Sequence, residues 1–233
     1  MIDIRTVATT ASTNADMLAL AASGAAEGLW LHAVEQTAGR GRLGRAWVSP
    51  PGNLYASTIV CLRPGDPSPA TLAMVASVAL DEALTAYGAD AWIKWPNDLF
   101  IGDAKLTGIL LERTGDAVVA GIGVNLAHHP EGLDRATTSL AAEGLAAPDP
   151  ELFLRDLAEA FARWLAVWRN GLEPVRRRWL ERAHPVGTAL SVRLPDQAPI
   201  DGLFDGLAAD GALRLRRASG EVQVIHAGDV FRI

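Results

Sequence analysis

Between Gly39 and Gly44 the chain carries a literal G-x-G-x-x-G, and the residues after it decide what fold the motif belongs to. In a dinucleotide-binding fold the glycines lead into a helix whose N-terminus holds the pyrophosphate. Here Ala46-Trp47-Val48 runs into Ser49-Pro50-Pro51-Gly52, a sequence that cannot continue as a long helix. A nicotinamide-dependent oxidoreductase is disfavoured on that context. What remains is a loop, Gln36 to Trp47, whose glycines permit close backbone approach. Its three arginines, Arg40, Arg42 and Arg45, are spaced to converge on one anion more highly charged than a carboxylate. Trp47, just beyond them, either stacks on a flat heterocycle or fills the core.

Any such anion site is local, because the formal net charge is −6 and gripping nucleic acid requires phosphate neutralisation over a broad surface. Arg176-Arg177-Arg178 and a small C-terminal β unit raise a nucleic-acid-binding module as a rival; salt-sensitive DNA binding would revive it. The run reads more simply as a solvated face. Of the 21 basic residues only Lys94 and Lys105 are lysines. A chain that otherwise chooses arginine yet sets both ammonium groups within one short segment either needs an ammonium there, since the two side chains are not interchangeable, or has clustered them by chance.

At 233 residues the chain accommodates a catalytic domain and a small appendage. No uninterrupted apolar run approaches the roughly 18 residues of a membrane span, and Met1-Ile2-Asp3-Ile4-Arg5 does not open a signal peptide. The single cysteine, Cys61, reads as a small core residue in mid-strand, and its solitude fits a reducing cytoplasm. The expectation is a cytoplasmic protein that neither spans a membrane nor binds nucleic acid. Its oligomeric state is left open, a homodimer included.

Ser12-Thr13-Asn14 caps a predicted helix from about Asn14 to Ala22. Leu29 to Val34 and Asn53 to Leu62 read as strands. Ser68-Pro69 starts a helix continuing to Gly88. Trp92 to Leu126 reads as a meander of neighbouring antiparallel strands with a Gly102-Asp103 turn. Asp149-Pro150 opens a helix whose apolar positions include Trp164 and Trp168, and a last helix follows Glu173-Pro174 up to His184-Pro185. Beyond it lie five short β segments: Ala189 to Leu194, Ile200 to Leu207, Leu213 to Arg216, Val222 to Ile225 and Val230 to Ile233. These predict a small closed barrel. The expected division is residues 1–185 and 186–233.

Three further segments carry polar groups where ligands are usually met. Lys94-Trp95-Pro96-Asn97-Asp98 closes one strand and turns into the next, placing an amide and a carboxylate at a strand end. In Lys105 to Leu111, strict alternation puts Lys105, Thr107 and Ile109 on one face and Leu106, Gly108 and Leu110 on the other, with Gly108 leaving a gap. Gly121-Ile122-Gly123-Val124-Asn125-Leu126 is a strand weakened by two glycines and ending in an amide. Each taken singly is also compatible with an ordinary turn or bulge. His128-His129, with Pro130 following and no spaced third ligand, reads as a loop.

In this order and combination, the four segments resemble the biotin–protein ligase family, and the likeness runs from Ser12 to Phe231. The resemblance implies an α+β fold, a mixed and mostly antiparallel sheet flanked by helices, related to class II synthetases and lipoate ligases, with an SH3-like C-terminal β-barrel that includes Gly228 to Phe231. It implies ATP and Mg²⁺ as co-substrate and activator, biotin as substrate, and a biotin carboxyl carrier domain as acceptor. By the same resemblance Ser12, Thr13, Asn14, Gln36, Arg40, Gly41, Arg42, Lys105 and Gly108 look like the biotin site. Arg42, Arg45, Trp47, Asn97, Lys105 and Asn125 look like the nucleotide site. Lys105, Arg42 and Arg40 would be catalytic, and Asp98 would either touch Mg²⁺ or steer the acceptor amine. The ligase motifs begin at residue 12, so the winged-helix repressor domain of some members is not expected. A lipoate or octanoate ligase shares the fold and the chemistry but lacks the G-R-G-R-x-G-R-x-W arrangement.

Overall fold

The structure is a computed structural model that describes residues 2–133, 135–194 and 197–233. In chain order the elements are β1 (Asp3–Thr10), α1 (Thr13–Ala22), β2 (Leu29–Gln36), β3 (Leu54–Cys61), α2 (Leu72–Ala86), β4 (Trp92–Lys94), β5 (Asp98–Ile101), β6 (Ala104–Lys105), β7 (Thr107–Thr114) and β8 (Ala117–Val124). They continue with α3 (Pro150–Arg169), α4 (Glu173–Glu181), β9 (Ala189–Arg193), β10 (Ile200–Leu207), β11 (Leu213–Arg216), β12 (Val222–Ile225) and β13 (Asp229–Arg232). The main sheet has the order β1-β2-β3-β8-β7, with β1 parallel to β2 and the remaining pairs antiparallel. Strand β1 was not expected from the sequence. It is an edge strand with no fully buried residue, so it lacks the apolar alternation that marks a strand lying on a core.

The expected meander from Trp92 to Leu126 is in fact split between two sheets. Strands β4, β5 and β6 form a small sheet of their own, whereas β7 and β8 belong to the main one. The break falls at Leu106, which is fully buried; its N–H donates to the Leu99 carbonyl and its own carbonyl accepts from Asn125. A single residue outside both ladders resets the side-chain alternation. Lys105 and Gly108 are therefore not assigned to opposite faces by counting, and the Lys105 ammonium approaches the gap above Gly108.

One face of the main sheet is covered by α2 and α3. Trp30 meets Phe161 edge-on at 5.5 Å, and Trp168 is fully buried with its indole N–H donating to Thr71. Trp164 is half-buried and donates to Glu82. Asp149 caps α3 by accepting from the N–H groups of Glu151 and Leu152, as its position before Pro150 predicts. Residues Pro69–Ala86 have the length and hydropathy of a membrane span, although 72% of that stretch is buried in the molecule, so the core uses its apolarity. The arginine run is only partly a solvated face: Arg178 and Arg182 both donate to Asp81, which is 1% exposed on α2, and so fasten α4 to α2. Cys61 is half-buried at the end of β3 rather than enclosed in mid-strand.

Strands β9 to β13 form a five-stranded antiparallel sheet ordered β12-β11-β10-β9-β13, as many strands as the sequence predicts, but among the described residues β12 and β13 are unpaired edges, so backbone hydrogen bonds do not close it into the expected barrel. Its buried residues Leu190, Val192, Phe204, Leu213, Leu215 and Val230 belong to the same apolar cluster as the main core. The Trp95 indole N–H donates to the Gly211 carbonyl across the junction. His184 fills the junction too, 7% exposed, with its ring 4.4 Å from that of Trp92.

Burial pushes the His184 imidazole down to about 4, with the charges of Arg232 and Lys94 acting in the same direction. The unfolded chain then binds the proton more readily than the folded one, so stability is lost as pH falls below the ordinary histidine value of 6.5. Between pH 7 and pH 5 this residue should cost about 2 kcal/mol of stability. His184→Phe keeps the ring and removes the proton site; denaturant unfolding at the two pH values should show a smaller acid loss in that variant, and an equal loss would exclude His184 as the source.

Candidate active site

The other face of the main sheet is only partly covered. Met17 of α1 packs on Leu29, Leu31, Ile59 and Val119, and beyond that patch three glycines leave the sheet bare. Gly108 and Gly123 are register partners on β7 and β8, and Gly121 lies two residues before Gly123 on the same face. A Cβ at Gly121 would stand 2.0 Å from the Asn14 side-chain oxygen, and one at Gly123 would stand 2.6 Å from the Trp47 ring. The glycines thus form a floor on which the start of α1 and the Trp47 indole rest directly.

At one end of this floor the residues around the start of α1 make a buried polar network. Gln36 accepts from the Thr13 N–H at 2.9 Å and donates to Ser49; Ser57 donates toward both Thr13 and Asn14; Asn14 in turn donates to the Leu110 carbonyl and to Glu112 at 2.8 Å. Ser12, 4% exposed, occupies the cap position of α1, but its hydroxyl makes no cap hydrogen bond. Ser57 and Glu112 were not singled out from sequence. A serine in an otherwise apolar strand was the available signal for the first.

The arginine loop doubles back on itself. Trp47 N–H donates to Gly39, Gly41 N–H to Arg45, and a three-residue 3₁₀ turn at Arg42–Gly44 forms the tip, with Leu43 and Gly44 both in left-handed backbone. No helix follows. The three arginines do not converge as the spacing predicts. Arg40 turns to Glu112 at 3.5 Å, beside Asn14, whereas Arg42 and Arg45 both reach Asp229 of β13. Arg40 precedes the 3₁₀ turn, whereas Arg42 opens it and Arg45 follows it, so the turn carries the last two away from the first and carboxylates distant in sequence claim them.

The opposite end of the floor is strongly cationic. Lys105, 6% exposed, donates to Asp98 at 2.5 Å and has its ammonium 5.4 Å from the Trp47 ring. Arg135 lies 3.8 Å from the other Asp98 oxygen, and Arg42 donates to the Asn97 side chain at 3.0 Å. Asn97 also donates to the Ile109 carbonyl, and Asn125 donates to that of Thr138. Burial lowers the affinity of Lys105 for its proton, and Asp98 opposes that effect. Among the described residues, Arg42, Arg45, Lys94, Lys105 and Arg135 together face two carboxylates, Asp98 and Asp229, a surplus of three positive charges. The Trp47 indole N–H is buried without a partner. Such a site is arranged for a highly charged anion carrying a flat, hydrogen-bonding group. Arg135 was missed from sequence, because nothing in its neighbourhood marks it.

Comparison with known proteins gives the chain a family. The profile of the Biotin/lipoate A/B protein ligase family matches residues 7–127, and that of the Biotin protein ligase C terminal domain matches residues 191–232. A biotin--[acetyl-CoA-carboxylase] ligase of Paracoccus denitrificans is 45% identical, with 97% of this chain and 98% of that protein covered. The backbone is similar to a biotin protein ligase from Aquifex aeolicus in complex with biotin and ATP, at 23% identity, a TM-score of 0.89 and 100% of both chains covered. It is also similar to one from Leishmania major in complex with biotinyl-5-AMP, at 28% identity and a TM-score of 0.66 over 97% of this chain and 99% of that one. The chain belongs to the biotin/lipoate protein ligase family and, within it, to the biotin–protein ligases.

Because half-exposed ion pairs contribute at most about 1 kcal/mol each, the Asp229 contacts fix where the loop rests far more than they stabilise the fold. Asp229→Asn should leave the melting temperature nearly unchanged while trypsin cuts after Arg42 and Arg45 several-fold faster. Unchanged cleavage would show that the loop is held by its own backbone hydrogen bonds.

Proposed function

We propose that this chain uses ATP to convert biotin to biotinyl-5'-AMP and then transfers the biotinyl group to a lysine of a biotin carboxyl carrier domain, with residues 1–185 carrying the chemistry and 186–233 flanking it. The single observation that carries the reading is the cationic seam beside the glycine floor. An ATP and a biotin carboxylate accompanied by one Mg²⁺ bring roughly three negative charges, which the seam's surplus balances.

Ser12, Thr13, Asn14 and Gln36 supply the donors and acceptors for the ureido ring, and Gly108, under Trp47 and Lys105, leaves room for the part of biotin that reaches the cationic end. Trp47, Asn97 and Asn125 serve the adenine. Arg40, Gly41, Arg42 and Arg45 belong to a loop that exchanges its carboxylate partners for phosphate. Lys105 stands between the reacting carboxylate and the α-phosphate. A biotin carboxylate oxygen attacks the α-phosphorus, the bond to the bridging oxygen breaks, and pyrophosphate leaves with the electron pair; Lys105 and Arg42 neutralise charge as it gathers on the phosphoryl oxygens. In the second step the unprotonated acceptor amine attacks the acyl carbon and AMP leaves. Closing the loop over the adenylate keeps water from that carbon.

Mg²⁺ is a hard cation held by oxygen, and when bound it screens phosphate charge. Among the described residues no cluster of three His, Cys, Asp or Glu side chains is suited to a metal. The Asp98 oxygen 3.8 Å from Arg135 fits an ion brought in on the phosphates and touched by one carboxylate.

The test is parallel incubation of the protein with ATP, Mg²⁺, a purified apo carrier domain and either biotin, lipoate or octanoate, read by intact mass. One added biotinyl group supports the proposal, whereas addition of a lipoyl or octanoyl group and none of biotin would replace it with the rival ligase. Lys105→Ala should slow adenylate formation by roughly 10² to 10³, the scale for one contact to developing charge. Near-normal turnover would remove Lys105 from the reaction.

A further inference from the structure

The ligase reading gives no part to Asn53, a side chain 2% exposed and placed immediately before β3. Its oxygen accepts from three successive backbone N–H groups, those of Leu126 at 2.9 Å, Ala127 at 2.9 Å and His128 at 3.0 Å, and its amide nitrogen donates to the His128 carbonyl at 2.9 Å. Consecutive N–H groups turned toward one point form a concavity that prefers an anion. Here a neutral amide fills it, because a carboxylate could not also donate to His128 and would face that carbonyl with like charge. Gly52 completes the clamp: a Cβ there would stand 3.3 Å from that of Ala127, so the turn before β3 lies close against the segment.

What the clamp holds is the exit of β8. Asn125, directly before the held residues, donates its N–H to the Leu106 carbonyl and its side-chain amide to that of Thr138. The carbonyls of Asn125 and Leu126 accept from the N–H groups of Leu140 and Ala141, while Lys105 N–H donates to Ala136 and Thr138 N–H to Lys105. The loop therefore has its root beside the proposed adenine site and its far limb along the Lys105 backbone, with Arg135 entering that limb 3.8 Å from Asp98. Residues 125–128 belong to no strand or helix. Without Asn53, four backbone groups at the root lose the partner that a ladder would otherwise supply.

We infer that Asn53 is a positioning residue for the nucleotide: it fixes the root of this loop so that Asn125 is set for the adenine before ATP arrives. The inference rests on the ligase reading above and adds a residue that acts only through its neighbours. A loop ordered in advance loses little conformational freedom on binding, so the benefit falls on nucleotide affinity and on discrimination between bases. It does not fall on the biotin end, whose network is built from α1, β2 and β7.

Two substrates that meet in one reaction separate this role from a general structural one. Asn53→Ala removes all four hydrogen bonds, whereas Asn53→Asp keeps the acceptor and loses the donor. In Asn53→Ala the KM for ATP in biotinyl-5'-AMP formation should rise roughly tenfold, and the preference for ATP over GTP should narrow. The dissociation constant for biotin, measured by isothermal titration, should stay near that of the parent, and Asn53→Asp should recover part of the nucleotide affinity. An unchanged KM for ATP, or an equal loss of affinity for biotin and ATP, would overturn the assignment. Hydrogen–deuterium exchange of the unmodified protein covers the case in which the variants do not fold. With no nucleotide present, the amides of Leu126, Ala127 and His128 should already exchange slowly and change little when ATP is added. Fast exchange that slows only with ATP would mean that the nucleotide, and not Asn53, organises the loop root. If the parent forms no biotinyl-5'-AMP, the ligase reading fails and this role falls with it; a parent that forms it, beside variants of normal ATP affinity, refutes the role alone.

Discussion

An ammonium group removed from water costs several kcal/mol unless a counter-charge compensates it, and this protein places two of them on one face of a three-stranded sheet with a single aspartate between them. Much else in the molecule follows from making that arrangement tolerable. Asp98 satisfies Lys105, aromatic rings of both sheets flank Lys94, and Asp229 holds Arg42 and Arg45 to one side. Among the described residues the protein's own groups leave a surplus of positive charge in the seam. The binding free energy of an anionic substrate includes the relief of that repulsion, so part of the affinity is stored in the fold itself.

The same constraint explains the glycines. A cationic seam is useful only if a flat, uncharged part of the ligand lies close beside it, and close approach to a sheet requires that side chains be missing. Gly108, Gly121 and Gly123 remove them from neighbouring positions of one face. Trp47 lies over two of these positions, and among the described residues its N–H has no partner, which leaves a donor for a hydrogen-bonding ring. The C-terminal sheet takes part in this geometry, since it supplies Asp229 to the loop and Phe231 to Lys94. Detaching it would release the arginine loop and expose a lysine together.

The helices and the C-terminal strands were legible in the sequence because each announces itself locally. Asp149-Pro150 starts α3, and Gly, Asp and Pro punctuate the last five strands. The site motifs were legible as residue types at strand ends. Partnership was not. Periodicity states which face a residue takes and not which strand lies beside it, so the division between β4–β6 and β7–β8 was invisible, and Leu106 silently reset the alternation that seemed to separate Lys105 from Gly108. The arginine loop looked like a single anion cradle because the acids that draw its side chains apart lie 72 residues on, at Glu112, and at the far end of the chain, at Asp229. Ser57 and Arg135 have no local signature at all. Strand β1 was hidden because edge strands require little burial.

The choice of lysine at 94 and 105, in a chain with 19 arginines, follows from where these groups sit. A guanidinium is broad and planar and spreads five donors over a fork, more than the enclosed positions 94 and 105 leave room for. An ammonium is compact, fits between a glycine gap and an indole at 105 and between two phenyl rings at 94, and directs its donors wherever the incoming charge arrives. It also loses its proton more easily on burial, which matters where the charge must be present for binding and yet stand close to other cations. Arg42 and Arg45 sit on the loop instead. On the proposed reading their reach would let them exchange Asp229 for a phosphate, while the two lysines, set in a sheet, would keep their positions.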